Sequence, residues 1–153
     1  MTSRLWTIAT LMAALAVGAC APKGPVFPSD ALDHAIAGSV GDPTTCVILA
    51  DRATGKTVYR YGQDFNCARG LPACDRPGFL SASGALPLAQ APDGRYASCP
   101  TSPDGSRSVG WAAGRVASTR RNLIYSAVME GDRALPGQEM KARLDAAFAR
   151  AGL

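Results

Sequence analysis

The chain has 153 residues, 47% of them hydrophobic, with 16 Lys and Arg against 12 Asp and Glu for a formal net charge of +4. That length suits one domain and is too short for two comfortable ones. So mild a positive balance, with no run of Lys or Arg, argues against nucleic acid as a partner.

The first four residues carry one positive charge, Arg4, and no acid; Leu5 to Val17 then runs uncharged into Gly18-Ala19-Cys20. A positive start, an apolar stretch and small residues before a cut site mark a secretory signal. The run is shorter than the roughly 20 apolar residues of a membrane-spanning helix, and it breaks into Pro22, Lys23, Gly24 and Pro25. Val17-Gly18-Ala19-Cys20 resembles the lipobox of bacterial lipoproteins, with Val17 where Leu is commoner. The resemblance implies that residues 1–19 are a signal peptide and that Cys20 carries a diacylglycerol group. Several acyl chains anchor stably where one alone is marginal. Ala21, where an Asp would imply retention in the inner membrane, implies an outer-membrane anchor facing the periplasm, so the lipid bilayer is one partner. The competing readings are a cleaved signal whose Cys20 is incidental, and a short membrane anchor.

Cleavage would take Arg4 with it and leave 15 basic residues against 12 acids, a formal +3. Residues 20–28 read as a tether, kept extended by Pro22, Pro25 and Pro28, and residues 29–153 as a single domain. Ser29 is a plausible N-cap for a helix with Leu32, Ala35 and Ile36 on one face, ended by Gly38. His34 falls off that stripe, as an ordinary surface residue would. Residues 46–51 and 56–61 form two β-rich runs joined by a tight turn over Arg52–Gly55, a β-hairpin. The first run is apolar on both faces and is therefore the more central strand.

Residues 62–106 hold six prolines, six glycines and three cysteines without sustained periodicity. A long irregular segment inside a compact domain is uncommon, and cross-linking explains how this one holds a shape. Phe79, Leu80, Leu86 and Leu88 are expected to pin it to the body. Beyond it, Val109, Trp111, Ala113 and Val116 predict a strand in which Gly110 and Gly114 mark a bend or a close backbone approach. Residues 123–129 predict a second strand. The chain closes on a helix in which Pro136 suits the first turn and Met140, Leu144, Ala147, Phe148 and Ala151 share one stripe. Glu139 precedes Arg143 by four residues, and Arg150 and Gly152 suit the end. The fold class is α+β: a small antiparallel sheet of about four strands, both helices on one face, and a long disulfide-linked loop over 62–106.

Four cysteines remain beyond Cys20, namely Cys46, Cys67, Cys74 and Cys99. Outside the reducing cytosol they read as two disulfides. The preferred pairing is Cys67–Cys74 with Cys46–Cys99, because Gly70 and Pro72 can reverse the chain in the short loop. The rival is Cys67–Cys99 with Cys46–Cys74. A zinc site competes, but there is no C-x-x-C pair and His34 is the one histidine, so neither a metal nor another cofactor is expected.

"VGWAAGRV", "CVILADRATGKTVYRYG" and the last 32 residues also resemble the sheet domain of class D β-lactamase-type serine hydrolases. That resemblance implies an S-x-x-K nucleophile motif and a K-[ST]-G strand. Neither is in this sequence, so no catalytic residue carries over. A Ser-His-Asp triad would have to use His34, flanked by Asp30 and Asp33, which helix-start electrostatics already explains. Turn chemistry explains Asp93-Gly94 and Asp104-Gly105 without calcium. The expectation is a non-catalytic binding or assembly-support lipoprotein of the envelope, with an envelope protein as a possible partner. Its binding residues are sought in the rigidified loop, at Arg69, Arg76, Phe79, Arg95 and Tyr96. The alternative is a cell-envelope hydrolase with an unrecognised or degenerate site.

Overall fold

A computed structural model describes residues 26–118 and 120–153; the expected signal, the lipobox and all but the end of the tether lie outside them. In chain order the elements are α1 (Ser29–Val40), β1 (Cys46–Asp51), β2 (Thr57–Tyr61), α2 (Asp64–Ala68), β3 (Leu71–Pro72) and β4 (Phe79–Leu80). There follow α3 (Ala82–Ala85), a 3-10 turn (Leu86–Gln90), β5 (Arg95–Pro100), β6 (Ser108–Arg115), β7 (Leu123–Gly131) and α4 (Gly137–Arg150). Five strands form one antiparallel sheet in the order β2-β1-β7-β6-β5, and β3 and β4 form a small ribbon.

The central position of β7 follows from its sequence. Every residue of Leu123–Gly131 is buried, as a strand apolar on both faces must be. Leu123, Tyr125, Ala127 and Met129 face one side with Val47 and Leu49 of β1, and α1 and α4 cover them through Leu32, Ile36, Val40, Met140, Leu144 and Phe148. Ile124 and Val128 face the other side with Ile48, Val109, Trp111 and Ala113. There the segment from α2 to the 3-10 turn covers the sheet, through Ala82, Ala85 and Ala89 with part-buried Leu80, Leu86 and Leu88. Both terminal helices share one face, and the cross-linked segment forms the opposite layer.

The small residues of β6 let α4 approach closely. A Cβ on Gly110 would lie 2.0 Å from the Leu135 carbonyl oxygen, and one on Gly114 would press on the Tyr125 ring. Gly137, the first residue of α4, sits where a Cβ would be 2.3 Å from the Trp111 carbonyl oxygen and 2.5 Å from that of Ala97. Its N–H donates to Ser98 Oγ at 2.7 Å, so a strand hydroxyl satisfies a helix-start donor. Gly137→Ala is expected to destabilise the domain by about 3 kcal/mol, since two strand backbones cannot both move aside. Urea titration checks it: a lowered midpoint with an unchanged slope is the expected result.

Several sequence expectations need correction. Ser29 is the first helical residue of α1 and not its cap; Pro28 precedes the helix and makes no side-chain cap bond. Gly38 does not end α1, which runs on to Val40 because burying that side chain outweighs the roughly 1 kcal/mol helix cost of a glycine. The large sheet has five strands, one more than expected, because β5 lies within the segment read as irregular. Phe79 does not pin that segment: it is 78% exposed.

Candidate functional site

The segment over the second face is fixed by two disulfides and one buried carboxylate. Cys46 pairs with Cys67 and Cys74 with Cys99, with Cα separations of 5.2 and 5.4 Å. All four cysteines are oxidised, but neither anticipated pairing is present. After β2 the chain turns through Gly62, whose backbone packs against that of Thr45, and helix α2 then carries Cys67 beside Cys46 at the start of β1. Cys74 follows β3 in the left-handed region, φ +69°, the one non-glycine residue with positive φ among those described. From there it reaches Cys99 on β5. Helix and ribbon thus send the two nearby cysteines to different strands; Pro72 lies in β3 itself, and the chain reverses over residues 73–78 instead of closing a short disulfide loop at Gly70 and Pro72.

Glu130, near the end of β7, has a side chain 7% exposed. Its Oε1 accepts from Thr101 Oγ1 and Arg107 Nε, both at 3.1 Å, and its Oε2 accepts from Arg107 Nη2 at 2.9 Å and Arg69 Nη2 at 3.2 Å. Burial pushes its carboxyl up. The hydrogen bonds from Arg107 and Thr101 and the two guanidinium charges outweigh that, leaving it below its ordinary value. Arg69 also stacks over Phe65 at 5.8 Å, while its buried Nε has no hydrogen-bond partner among the described residues.

The five anticipated binding residues divide into two groups. Arg69 is committed to Glu130 and lies over Phe65, and Gly70 beside it packs near the Cβ of Phe79. Leu80 turns inward and the preceding Phe79 turns to solvent, as alternation in β4 requires. Arg95 and Tyr96 open β5 and line a narrow crease with Asp75, Leu80 and Trp111. Trp111 Nε1 donates into this region, to the Pro72 carbonyl at 2.8 Å. Arg76 grips Asp75 through two bonds of 2.9 Å. That pairing, against a small burial penalty and aided by the charge of Arg95, holds the Asp75 carboxyl below the usual carboxylate range. Tyr96 is 51% exposed and Phe65 70%. Phe65 was not anticipated, because a single aromatic beside Asp64 in a short helix carries no signal of its own.

Asp33 and Asp104 are held by hydrogen bonds within the fold. Asp33 accepts the Tyr59 hydroxyl at 2.6 Å, and His34 is exposed on α1. Asp104 accepts from the Ser102 hydroxyl and from the N–H and hydroxyl of Ser106, which holds its carboxyl at about 2. That is turn chemistry. Comparison of the chain with protein-family models, with curated proteins and with solved structures found no match.

Proposed function

We propose that this protein is a lipid-anchored lipoprotein of the bacterial envelope, held through Cys20 in the outer membrane and facing the periplasm. Its disulfide-clamped segment is a non-catalytic docking surface for an envelope protein. One observation carries the docking reading: Phe65, Phe79 and Tyr96 stand exposed, with Arg95 at the surface beside Tyr96, on a segment that two disulfides hold still. Exposed aromatics with arginines are the side chains that dominate binding energy at protein interfaces, and a fixed backbone lowers the ordering cost of association. The lipobox resemblance and the oxidised cysteines support the address.

A palmitate analogue is expected to label the wild type and leave Cys20→Ala unlabelled. In-cell cross-linking followed by capture should then recover a partner with the wild type, and at least tenfold less of it with Phe79→Ala/Tyr96→Ala, given about 1–2 kcal/mol for each aromatic anchor. Equal recovery by both would remove the docking reading. Turnover of peptidoglycan, or labelling by a fluorophosphonate, would replace it with the cell-envelope hydrolase.

A further inference from the structure

The two ends of the five-stranded sheet differ in chemistry. At one end β1 finishes at Asp51 opposite Leu123, and β6 finishes at Arg115 opposite Ile124. The chain ends there gather Arg52, Arg115, Arg120 and Arg121 around one open concavity, with Ser118 and Asn122 and no carboxylate in its lining. Gln90 braces two of them: its carbonyl accepts from Arg115 Nη2 at 2.7 Å, and its amide oxygen accepts from Arg52 Nε at 3.1 Å. Arg52, Arg115 and Arg120 form no ion pair among the described residues. The nearest acid in sequence, Asp51, is turned into its own hairpin by the N–H groups of Ala53 and Thr54 and the Thr54 hydroxyl. At the opposite end of the sheet the arginines are neutralised, Arg107 by Glu130 and Arg133 by Asp42.

The described chain begins at the arginine end. Arg121 Nη2 donates to the Val26 carbonyl at 3.3 Å, and its guanidinium lies 5.0 Å over the Phe27 ring. Phe27 in turn packs on Tyr59 at 6.1 Å. Val26 is six residues from Cys20, a length of chain that reaches at most about 20 Å.

We infer that the Arg52–Arg115–Arg120–Arg121 end of the sheet is a docking surface for the anionic headgroups of the bilayer in which Cys20 is anchored. The inference rests on the lipid anchor proposed above. A stretch of at most about 20 Å keeps this end of the domain closest to the bilayer. Guanidinium groups bind phosphate oxygens in pairs, and basic side chains at an anionic surface add to the hold of an acyl anchor. The sheet then stands on its arginine end, with Glu130 and both disulfides at the end away from the lipid.

The test uses the full mature protein reconstituted into phosphatidylglycerol or phosphatidylcholine vesicles and treated with an arginine-selective dicarbonyl. Intact mass reads the acyl group in the same sample. Peptide mapping should show Arg52, Arg115 and Arg120 protected at least fivefold in the anionic vesicles alone, with Arg133 modified equally in both. Cys20→Ala protein should still sediment with phosphatidylglycerol vesicles at low salt. Arg52→Gln/Arg115→Gln/Arg120→Gln should weaken that by about a hundredfold, at roughly fivefold per arginine, and Arg120→Gln alone by about fivefold. Equal modification in the two vesicle types, or sedimentation indifferent to these substitutions, overturns the inference even when the acyl group is present. A missing acyl group with the sedimentation pattern intact overturns the anchor and leaves the surface standing.

Discussion

Replacing Cys46 and Cys67 together by alanine is expected to remove about 3.5 kcal/mol of stability, the chain-entropy value for a loop of this size. The pair is 21 residues apart in sequence and both cysteines are buried. In a domain of this length that lowers Tm by about 10–15 °C, which thermal denaturation followed by circular dichroism will read. The Cys74–Cys99 pair closes a similar span of 25 residues that does not overlap the first, so its loss is expected to cost about as much. The two variants should nevertheless break differently. Losing Cys46–Cys67 detaches α2 from a core strand, whereas Cys74→Ala/Cys99→Ala frees the ribbon and the crease from an edge strand. Limited proteolysis of the second variant should cut within residues 75–106 and leave α4 protected. Equal cutting throughout the domain would show that the segment is not a separately clamped layer.

Glu130→Ala is expected to cost about 2–3 kcal/mol, mainly because Arg69 is left largely buried without its counter-charge. The value lies below that for a fully buried pair because Arg107, with a side chain 52% exposed, can turn back to water. The wild type should also lose stability in acid. Because the folded carboxyl titrates below its unfolded value, its contribution is complete above about pH 5 and is lost as pH falls through the lowered folded value. Glu130→Gln should flatten that acid limb while lowering stability at neutral pH. Chemical denaturation at several pH values reads both effects, and an acid limb unchanged in Glu130→Gln would assign it to other carboxylates.

The parts of the fold that could be read in the sequence bury their own pattern. Residues 46–51 and 123–129 are apolar on both faces and lie at β1 and β7, and the stripe from Met140 to Ala151 packs α4 as its spacing requires. β5 left no such mark. Arg95–Pro100 is an edge strand whose residues are exposed or only half-buried, so no alternation of apolar side chains announces it. Disulfide connectivity depends on where helix and ribbon place two backbones, information that residue spacing does not hold. The candidate site was half legible. An arginine in a rigid loop is a fair guess for a binding residue, but whether it is free depends on a carboxylate far along the chain. Arg69 proved to face Glu130, 61 residues on, while Arg95 and Tyr96 stayed at the surface.

The pairing of β1 with β7 also sets the order in which this domain can assemble. The first hairpin to emerge from the ribosome is β1–β2, and the strand that completes it lies roughly eighty residues further on. Helix α1 likewise waits for α4, which follows β7 in the chain, to close its face of the core. β1 therefore cannot bury both of its apolar faces until β7 and α4 have been made. Folding then comes as one late event, in which Cys46 meets Cys67 and Cys74 meets Cys99 as the layers that carry them are brought together.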